Sequence, residues 1–191
     1  MSTHISRAFL HAYLQNHPED EVTTLDVWSA NLPPFDGELA IAKLAPILGE
    51  QRTPAQDAAW ENVTQIIEAF ERHDKIVIST PMWNFGLPYK LKHYFDILVQ
   101  PGISFGVNAE HEHIGLLRDR PVQLVLTRSS PMPENSPEDF QFAYLRHILS
   151  FIGLHNVRVL MVEGTTLPAT ADRDALIKTQ SENARTLARE F

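Results

Sequence analysis

Apolar residues along the chain follow two alternating periods, one typical of helices and one typical of strands. Helix-like stretches place apolar side chains three and four positions apart, whereas strand-like stretches are short apolar runs rich in β-branched residues. Thr53 before Pro54 predicts a capped helix start, and Ser136 before Pro137 predicts another. The pattern predicts strands over 21–28, 75–80, 122–127 and 157–163, and helices over 6–16, 37–48, 54–73, 89–99, 137–152 and 170–191. Pro46 is expected to break the helix over 37–48.

Strands that alternate with helices predict a parallel β-sheet with helices on both faces, in a single α/β domain over residues 1–191. The runs 75–80 (KIVIST) and 122–127 (VQLVLT) are predominantly apolar, which is typical of parallel strands buried on both faces. In such sheets a ligand binds beyond the carboxyl ends of the strands. We therefore expect the functional residues directly after Thr80 and Thr127.

Composition narrows the classes of function. The chain has 191 residues and a formal net charge of −8, and an acidic chain is a poor general binder of nucleic acid. Cysteine is absent, which excludes thiolate metal sites and cysteine nucleophiles, so any redox chemistry must come from a bound cofactor. No apolar run approaches the roughly 20 residues that span a bilayer, and the first residues lack the apolar core of a signal peptide. We expect a cytoplasmic protein with neither a nucleic-acid nor a membrane partner.

The segment after the first buried strand, TPMWNFGLP at 80–88, places large apolar side chains in a loop. Met82, Trp83 and Phe85 there must either cover something or be covered, and Asn84 offers both a donor and an acceptor. One interpretation is a wall for a flat heteroaromatic ligand, with backbone amides bonded to its edge. The other, with equal weight from the pattern alone, is a hydrophobic loop packed on the core.

The stretch from Pro81 to Phe105, PMWNFGLPYKLKHYFDILVQPGISF, closely resembles the signature of the FMN-dependent NADH:quinone oxidoreductases of the azoreductase family. The resemblance continues through 32–36, 115–117, 127–129 and 151–154, and so covers nearly the whole chain. It implies a flavodoxin-like three-layer sandwich and a homodimer with one FMN per subunit. It also implies ping-pong transfer of two electrons from NADH or NADPH to a quinone or azo compound, with no metal and no catalytic side chain.

The resemblance assigns the candidate site residues by position. Trp83 stands where the family usually has tyrosine, and Ser129 and Ser130 stand where it often has glycines, which reach backbone conformations that serine tolerates poorly. For Arg128 a surface salt bridge is as good an interpretation as a ring contact, and for Phe151 a core position is as good as a contact with the partner subunit's flavin. The resemblance places the isoalloxazine ring against Pro81, Met82, Trp83, Asn84 and Phe85, a second flavin loop at Thr127, Arg128, Ser129 and Ser130, a phosphate contact at Ser2, and the electron acceptor at Phe105 and Phe151.

Ser2 matches the last serine of the family's phosphate loop, which lies at the start of the first helix, where amides and the helix dipole favour an anion. By that pattern the sequence lacks the family's first strand and the front half of the loop, and we expect a gap beside 75–80. We favour a misassigned or truncated start over true loss, because the loop for the flavin ring is intact. True loss would instead favour the alternative function, a flavodoxin-like binding or interaction protein that no longer holds FMN tightly.

Two other groups of polar residues are weaker candidates. His111 and His113 lie two positions apart in a loop, and a solvated turn explains them better than a metal site, which needs further ligands. His93 and Asp96 have the spacing of one helical face, and we expect an exposed pair.

Overall fold

A computed structural model describes residues 1–166 and 170–191 of the chain. No helix within those residues is both long and apolar enough to cross a membrane. The helices are α1 (Ser2–Asn16), α2 (Gly37–Leu44), α3 (Pro54–Glu71), α4 (Tyr89–Leu98), α5 (Phe142–Phe151) and α6 (Thr170–Ala188), and the strands are β1 (Ile76–Pro81), β2 (Phe105–Val107), β3 (His113–Gly115), β4 (Val122–Thr127) and β5 (Val157–Val162).

Three strands form a parallel sheet in the order β1-β4-β5, and β2 pairs with β3 in a short antiparallel hairpin. Every residue of the central strand β4 is buried, as its apolar run predicts. The same prediction is wrong for β1, whose residues are mostly half-buried. Within the described residues β1 has one neighbouring strand, so its other side lacks the cover that a central strand has. This unpaired side of β1 is where the sequence predicts a gap.

The sheet separates two hydrophobic cores. Leu124 and Leu126 of β4 point into a core with α2, α3, α4 and α5, whereas Val125 points into a core with α1 and α6. This alternation follows from the pleat of a strand, which sends successive side chains to opposite faces. The predicted arrangement of three layers, a parallel sheet between two helical layers, is confirmed.

Helix boundaries depend on local capping, and the structure corrects several of them. The start of α3 is confirmed, since Thr53 Oγ1 accepts the N–H of Gln56 and the Gln56 side chain accepts the N–H of Thr53. By contrast, α1 begins at Ser2 rather than at residue 6, with Met1 as its N-cap. The predicted break at Pro46 is confirmed, since α2 ends at Leu44 and proline has no N–H to continue the helical bonds.

The start of α5 lies five residues later than predicted. Ser136 caps only a turn, in which its Oγ accepts the N–H of Glu138 at 3.3 Å. Asp139 is the residue that holds the helix start, since its Oδ1 accepts the N–H of Phe142 at 2.9 Å. A carboxylate near a helix N-terminus also interacts favourably with the helix dipole.

The predicted strand over 21–28 is not a strand in the structure. Val22 and Leu25 are exposed, and the chain turns at Asp26, whose carbonyl accepts the N–H groups of Ser29 and Ala30. An extended segment leaves its backbone groups unpaired unless a neighbouring strand takes them up. In the described residues no strand pairs with 21–28.

Candidate functional site

The carboxyl ends of β1 and β4 lie side by side, so the two loops that the sequence singles out leave the sheet at one place. Pro81 pairs with Thr127 in the strand register, and the N–H of Met82 donates to the Thr127 carbonyl at 2.7 Å. From the start of α5, the Gln141 amide donates to the Thr80 carbonyl at 3.3 Å. Parallel pairing thus brings the two predicted loops together at one edge of the sheet.

The first loop contains a two-residue hairpin turn with its backbone in an uncommon conformation. Trp83 and Gly86 exchange both backbone hydrogen bonds, at 3.0 and 2.9 Å. Between them Asn84 has φ 46° and Phe85 has φ 67°, the positive pair that a type I′ turn requires. Asparagine tolerates this region, but a bulky aromatic residue there is an outlier that the rest of the structure must hold in place. The turn presents the exposed side chains of Trp83, Asn84 and Phe85 at the edge of the sheet.

The second loop is held by a buried arginine. Arg128 Nη1 lies 2.9 Å from Asp139 Oδ2, and its Nε lies 2.9 Å from Glu163 Oε1. Thr165 donates both its N–H and its hydroxyl to the Arg128 carbonyl. The salt bridge expected for Arg128 is therefore present, but it is buried inside the loop rather than on the surface. Thr127 is buried beside it, whereas the side chains of Ser129 and Ser130 are exposed at the rim.

The N-terminus of α1 lies at the same edge. The other end of the helix is placed by Tyr13, whose hydroxyl accepts a hydrogen bond from Lys75 at 2.9 Å, directly before β1. The helix rises roughly 16 Å from Ser2 to Tyr13 at about 1.5 Å per residue, close to the roughly 17–20 Å length of a six-residue strand. From these lengths we infer that Ser2, which is buried, lies near the carboxyl ends of β1 and β4, where the first amides of α1 could hold an anion.

An aromatic cluster that the sequence did not indicate completes this edge. The ring of Trp28, from the loop between α1 and α2, lies 5.5 Å from the ring of Trp83 and 5.2 Å from that of Tyr89 at the start of α4. All three side chains are exposed. The sequence did not reveal this position of Trp28, because the pattern assigns residues 21–28 to a strand. A tryptophan directly before a proline-rich loop was the available signal, since tryptophan is highly buried on average.

A groove of about 490 Å³ continues from the first loop towards α5. Burial raises the pKa of the Tyr144 hydroxyl to about 12, with a further contribution from the charge of Asp96, so this phenol stays protonated at neutral pH. Lys92 at the groove is paired with Asp96 on the next turn of α4. The walls are mostly apolar and are formed by Gly86, Leu87, Lys92, Phe140, Ala143, Tyr144 and His147.

The expected pair of His93 and Asp96 does not form. His93 Nε2 lies 2.9 Å from the carbonyl of Pro33, and Asp96 binds Lys92. His93 thereby ties the loop before α2 to the helix that starts at the site.

Comparison with known proteins agrees with this architecture. The family described as having a flavodoxin-like fold matches residues 1–187. An FMN-dependent NADH:quinone oxidoreductase of Nitratidesulfovibrio vulgaris strain DP4 is 39% identical over 193 residues, covering 100% of this chain and 92% of that protein. One of Desulfotalea psychrophila is 35% identical over 192 residues, covering 100% and 90%. The solved azoreductase of Bacillus anthracis strain Sterne has a TM-score of 0.86 at 25% identity, over 100% of this chain and 91% of that one.

The chain belongs to the FMN-dependent NADH:quinone oxidoreductase family. The resemblance seen in the signature of residues 81–105 is therefore confirmed.

Phe105 and Phe151 are the two acceptor residues that the family resemblance assigns. They lie towards the amino ends of the strands, opposite the first loop. Their rings are 4.7 Å apart, and His113 packs against both. α5 starts at the carboxyl edge and its ten residues descend about 15 Å to Phe151. Within one subunit these phenylalanines are therefore separated from the first loop by about the length of the sheet. Their role at an acceptor site stays a prediction, and it requires a second subunit.

The close packing of two glycines brings β3 and the end of α5 together beneath these rings. A Cβ on Gly115 would lie 2.1 Å from the Gly153 nitrogen, a distance that no side chain tolerates. Gly153 itself has φ +105°. The backbones of the hairpin and of the helix end can approach only because both positions are glycine.

Proposed function

We propose that this protein is an FMN-dependent oxidoreductase that transfers two electrons from NADH or NADPH to quinones and azo compounds. The observation that carries the proposal is the turn at 83–86, where a strained backbone exposes Trp83, Asn84 and Phe85 between two strand ends. A loop that only closed the core would bury these rings and would have no reason to keep phenylalanine at a positive φ. The names of the relatives support an enzyme over the alternative, a binding protein without flavin.

The residues at this edge fit a flavin in three parts. Pro81, Met82, Trp83, Asn84 and Phe85 would line the isoalloxazine ring, with apolar walls and with amides and Asn84 for its polar edge. The second loop would contribute Thr127, the backbone of Arg128, and the exposed Ser129 and Ser130. Ser2 and the first amides of α1 would hold the phosphate, where the helix dipole favours an anion.

FMN, when bound, supplies the two-electron redox chemistry, and the protein supplies position and shielding from water. We assign no side chain as an acid or base. Arg128 is engaged by Asp139 and Glu163, so it stabilises the shape of the loop. Because the reductant is an intracellular dinucleotide, we place the protein in the cytoplasm.

We further propose a homodimer in which each subunit completes the acceptor site of the other. The aromatic pair of Phe105 and Phe151 is remote from its own subunit's first loop, so it can reach an acceptor only in a neighbouring site. In a dimer with twofold symmetry the same surface serves both sites. Each subunit would then hold one FMN.

A flavin titration with a turnover assay tests the function. We expect saturable quenching of FMN fluorescence at micromolar protein, and oxidation of NADH with a quinone and with an azo dye. A full-length protein that stays colourless and inactive with added FMN would contradict the proposal and favour the binding protein.

Subunit mixing tests the shared site. The variant Phe85→Ala damages the subunit's own flavin loop, and Phe151→Ala damages the surface offered to the neighbour. If sites are shared, each mixed dimer contains one site with both residues intact, so random mixing restores about a quarter of the wild-type activity. If each subunit uses its own Phe151, mixing restores nothing. Light scattering of the wild type checks the dimer independently.

A further inference from the structure

Trp28 joins two segments that are distant in sequence into one exposed aromatic cluster. Its ring is tilted by 48° to Trp83 at 5.5 Å and perpendicular to Tyr89 at 5.2 Å. Both arrangements are among the favourable geometries for aromatic pairs. Trp28 and Trp83 are 47% and 48% exposed, so about half of each indole is covered.

The backbone of Trp28 is held firmly enough to serve as a support. Its N–H donates to Asp26 Oδ1 at 3.0 Å, and the Asp26 carbonyl closes the same turn through two further backbone N–H groups. The neighbouring Val27 packs against the larger core. Farther along this loop the Pro33 carbonyl lies 2.9 Å from His93 on α4, which ties the loop to the same helix that carries Tyr89.

Trp83 also has a fixed backbone, but its ring has fewer aromatic neighbours than that of Trp28, which contacts both Trp83 and Tyr89. The backbone of Trp83 is fixed by the hydrogen bonds to Gly86, but these bonds leave the side-chain torsions free. A half-exposed indole on a turn can adopt several staggered rotamers unless a neighbour selects one. The contact with the ring of Trp28 provides that selection.

We propose that Trp28 is a positioning residue that holds the Trp83 ring in the orientation that forms the flavin wall. The proposal rests on the function proposed above and names a residue outside the flavin loops. Trp28 acts through Trp83 and contributes by ordering its ring before the ligand binds. Preorganised contacts strengthen binding, because the ordering cost is already met in the free protein.

Fluorine NMR of protein labelled with 5-fluorotryptophan tests the positioning without any cofactor. The chain has three tryptophans, so three resonances are expected, and single replacements assign them. In Trp28→Ala the Trp83 resonance should move and narrow, since the ring loses its neighbour and gains rotational freedom. Trp28→Phe should give a smaller change in the same direction. Trp60→Phe is the matched control, because Trp60 lies on α3 against Arg52 and should leave the Trp83 resonance in place.

FMN titration of the same proteins measures the consequence. Aromatic pairs of this kind correspond to a change in affinity of about two- to tenfold. We expect Trp28→Ala to raise the Kd for FMN by that factor with little change in Tm, Trp28→Phe to recover most of the affinity, and Trp60→Phe to match the wild type. An unchanged Trp83 resonance, or an unchanged Kd in Trp28→Ala, overturns the inference. If the wild type binds no FMN, the proposed function fails, and the apoprotein spectra still decide whether Trp28 orders Trp83.

Discussion

At the amino ends of β1 and β4 charged side chains are paired by hydrogen bonds, whereas at the carboxyl ends aromatic rings are half exposed to solvent. The guanidinium of Arg120 contacts Glu71 Oε1 at 2.8 Å and the carbonyls of Glu71 and His73 at 2.7 and 2.6 Å. Asp119 accepts the N–H of His155 at 2.9 Å. At the carboxyl edge, Phe85 keeps a positive φ while its ring is 51% exposed.

This difference between the two ends of the strands indicates two roles, one in stability and one in ligand binding. The amino edge satisfies its polar groups and contributes to stability. The carboxyl edge holds exposed rings and an unfavourable backbone conformation, both of which cost stability and are explained by a ligand. Substitutions at the first edge should therefore change stability without changing FMN affinity, and substitutions at the second should change FMN affinity.

The largest expected effect is that of Arg120→Met at the amino edge. The variant leaves Glu71 and three backbone carbonyls without their buried partner. Breaking a buried ion pair costs about 3 kcal/mol when one partner is partly exposed, as Glu71 is. Urea unfolding measures the loss. Arg118→Met is the matched control, because its ion pair with Asp74 is exposed and should contribute less than about 1 kcal/mol. A change in FMN affinity in folded Arg120→Met would contradict the separation of the two edges.

The carboxyl edge also contains a buried arginine, Arg128, which is paired with Asp139 and Glu163, and Arg128→Met tests its contribution. Asp139 and Glu163 lose their common partner, and we expect a loss of about 2 kcal/mol. The loss is smaller than for Arg120, because the Arg120 guanidinium also donates to three backbone carbonyls. The second loop also loosens, so FMN affinity should fall together with stability. Lys92→Met, which breaks an exposed pair, should change the unfolding free energy by less than about 0.5 kcal/mol. Unchanged FMN affinity in Arg128→Met would mean that this loop does not hold the cofactor.

Phe85→Gly should change stability and binding in opposite directions. The variant creates Asn-Gly, the preferred pair for a type I′ turn, and relieves the positive φ of phenylalanine. After the entropic cost of glycine, a stabilisation of about 0.5–1 kcal/mol remains. FMN affinity should fall, because the ring is removed. Phe85→Ala separates the two effects, since it removes the ring but keeps the strain. Thermal unfolding measures the stability of both variants, and FMN titration measures their affinity. A Phe85→Gly variant less stable than the wild type would contradict the interpretation.

Asp119→Asn should give the smallest change in unfolding free energy, and this change should depend on pH only in acid. The backbone N–H of His155 lowers the pKa of the Asp119 carboxyl, assisted by the N–H of Asn156. A carboxyl with a lowered pKa in the folded state adds stability that is complete above its unfolded pKa of about 3.9 and is lost as the pH falls through its folded pKa. The difference in unfolding free energy between wild type and Asp119→Asn should therefore be constant above about pH 4 and shrink below it. A difference that grows in acid would show the opposite sign of shift.

Elements that depend on neighbours in sequence were predictable. The start of α3 needs only Thr53, Pro54 and Gln56, whose hydrogen bonds close within four residues. The start of α5 was not predictable in this way. Ser136 and Asp139 are both possible caps, and the one that holds the helix start, Asp139, is itself held by Arg128 from the loop after β4. The segment 21–28 has strand-like residues, but a strand also needs a partner, and no local pattern supplies one.

The candidate site divides in the same way. The order of apolar runs was enough to place the loops after Thr80 and Thr127 at one edge, because parallel strands carry their carboxyl ends to the same side. The sequence also singled out Trp83 and Phe85, because large apolar side chains in a loop need either a ligand or a packing partner. Only the tertiary structure brought Trp28 to Trp83 and separated Phe151 from the first loop. Those relations depend on the direction of helices across the sheet and on packing between distant segments, which the spacing of residues along a chain does not encode.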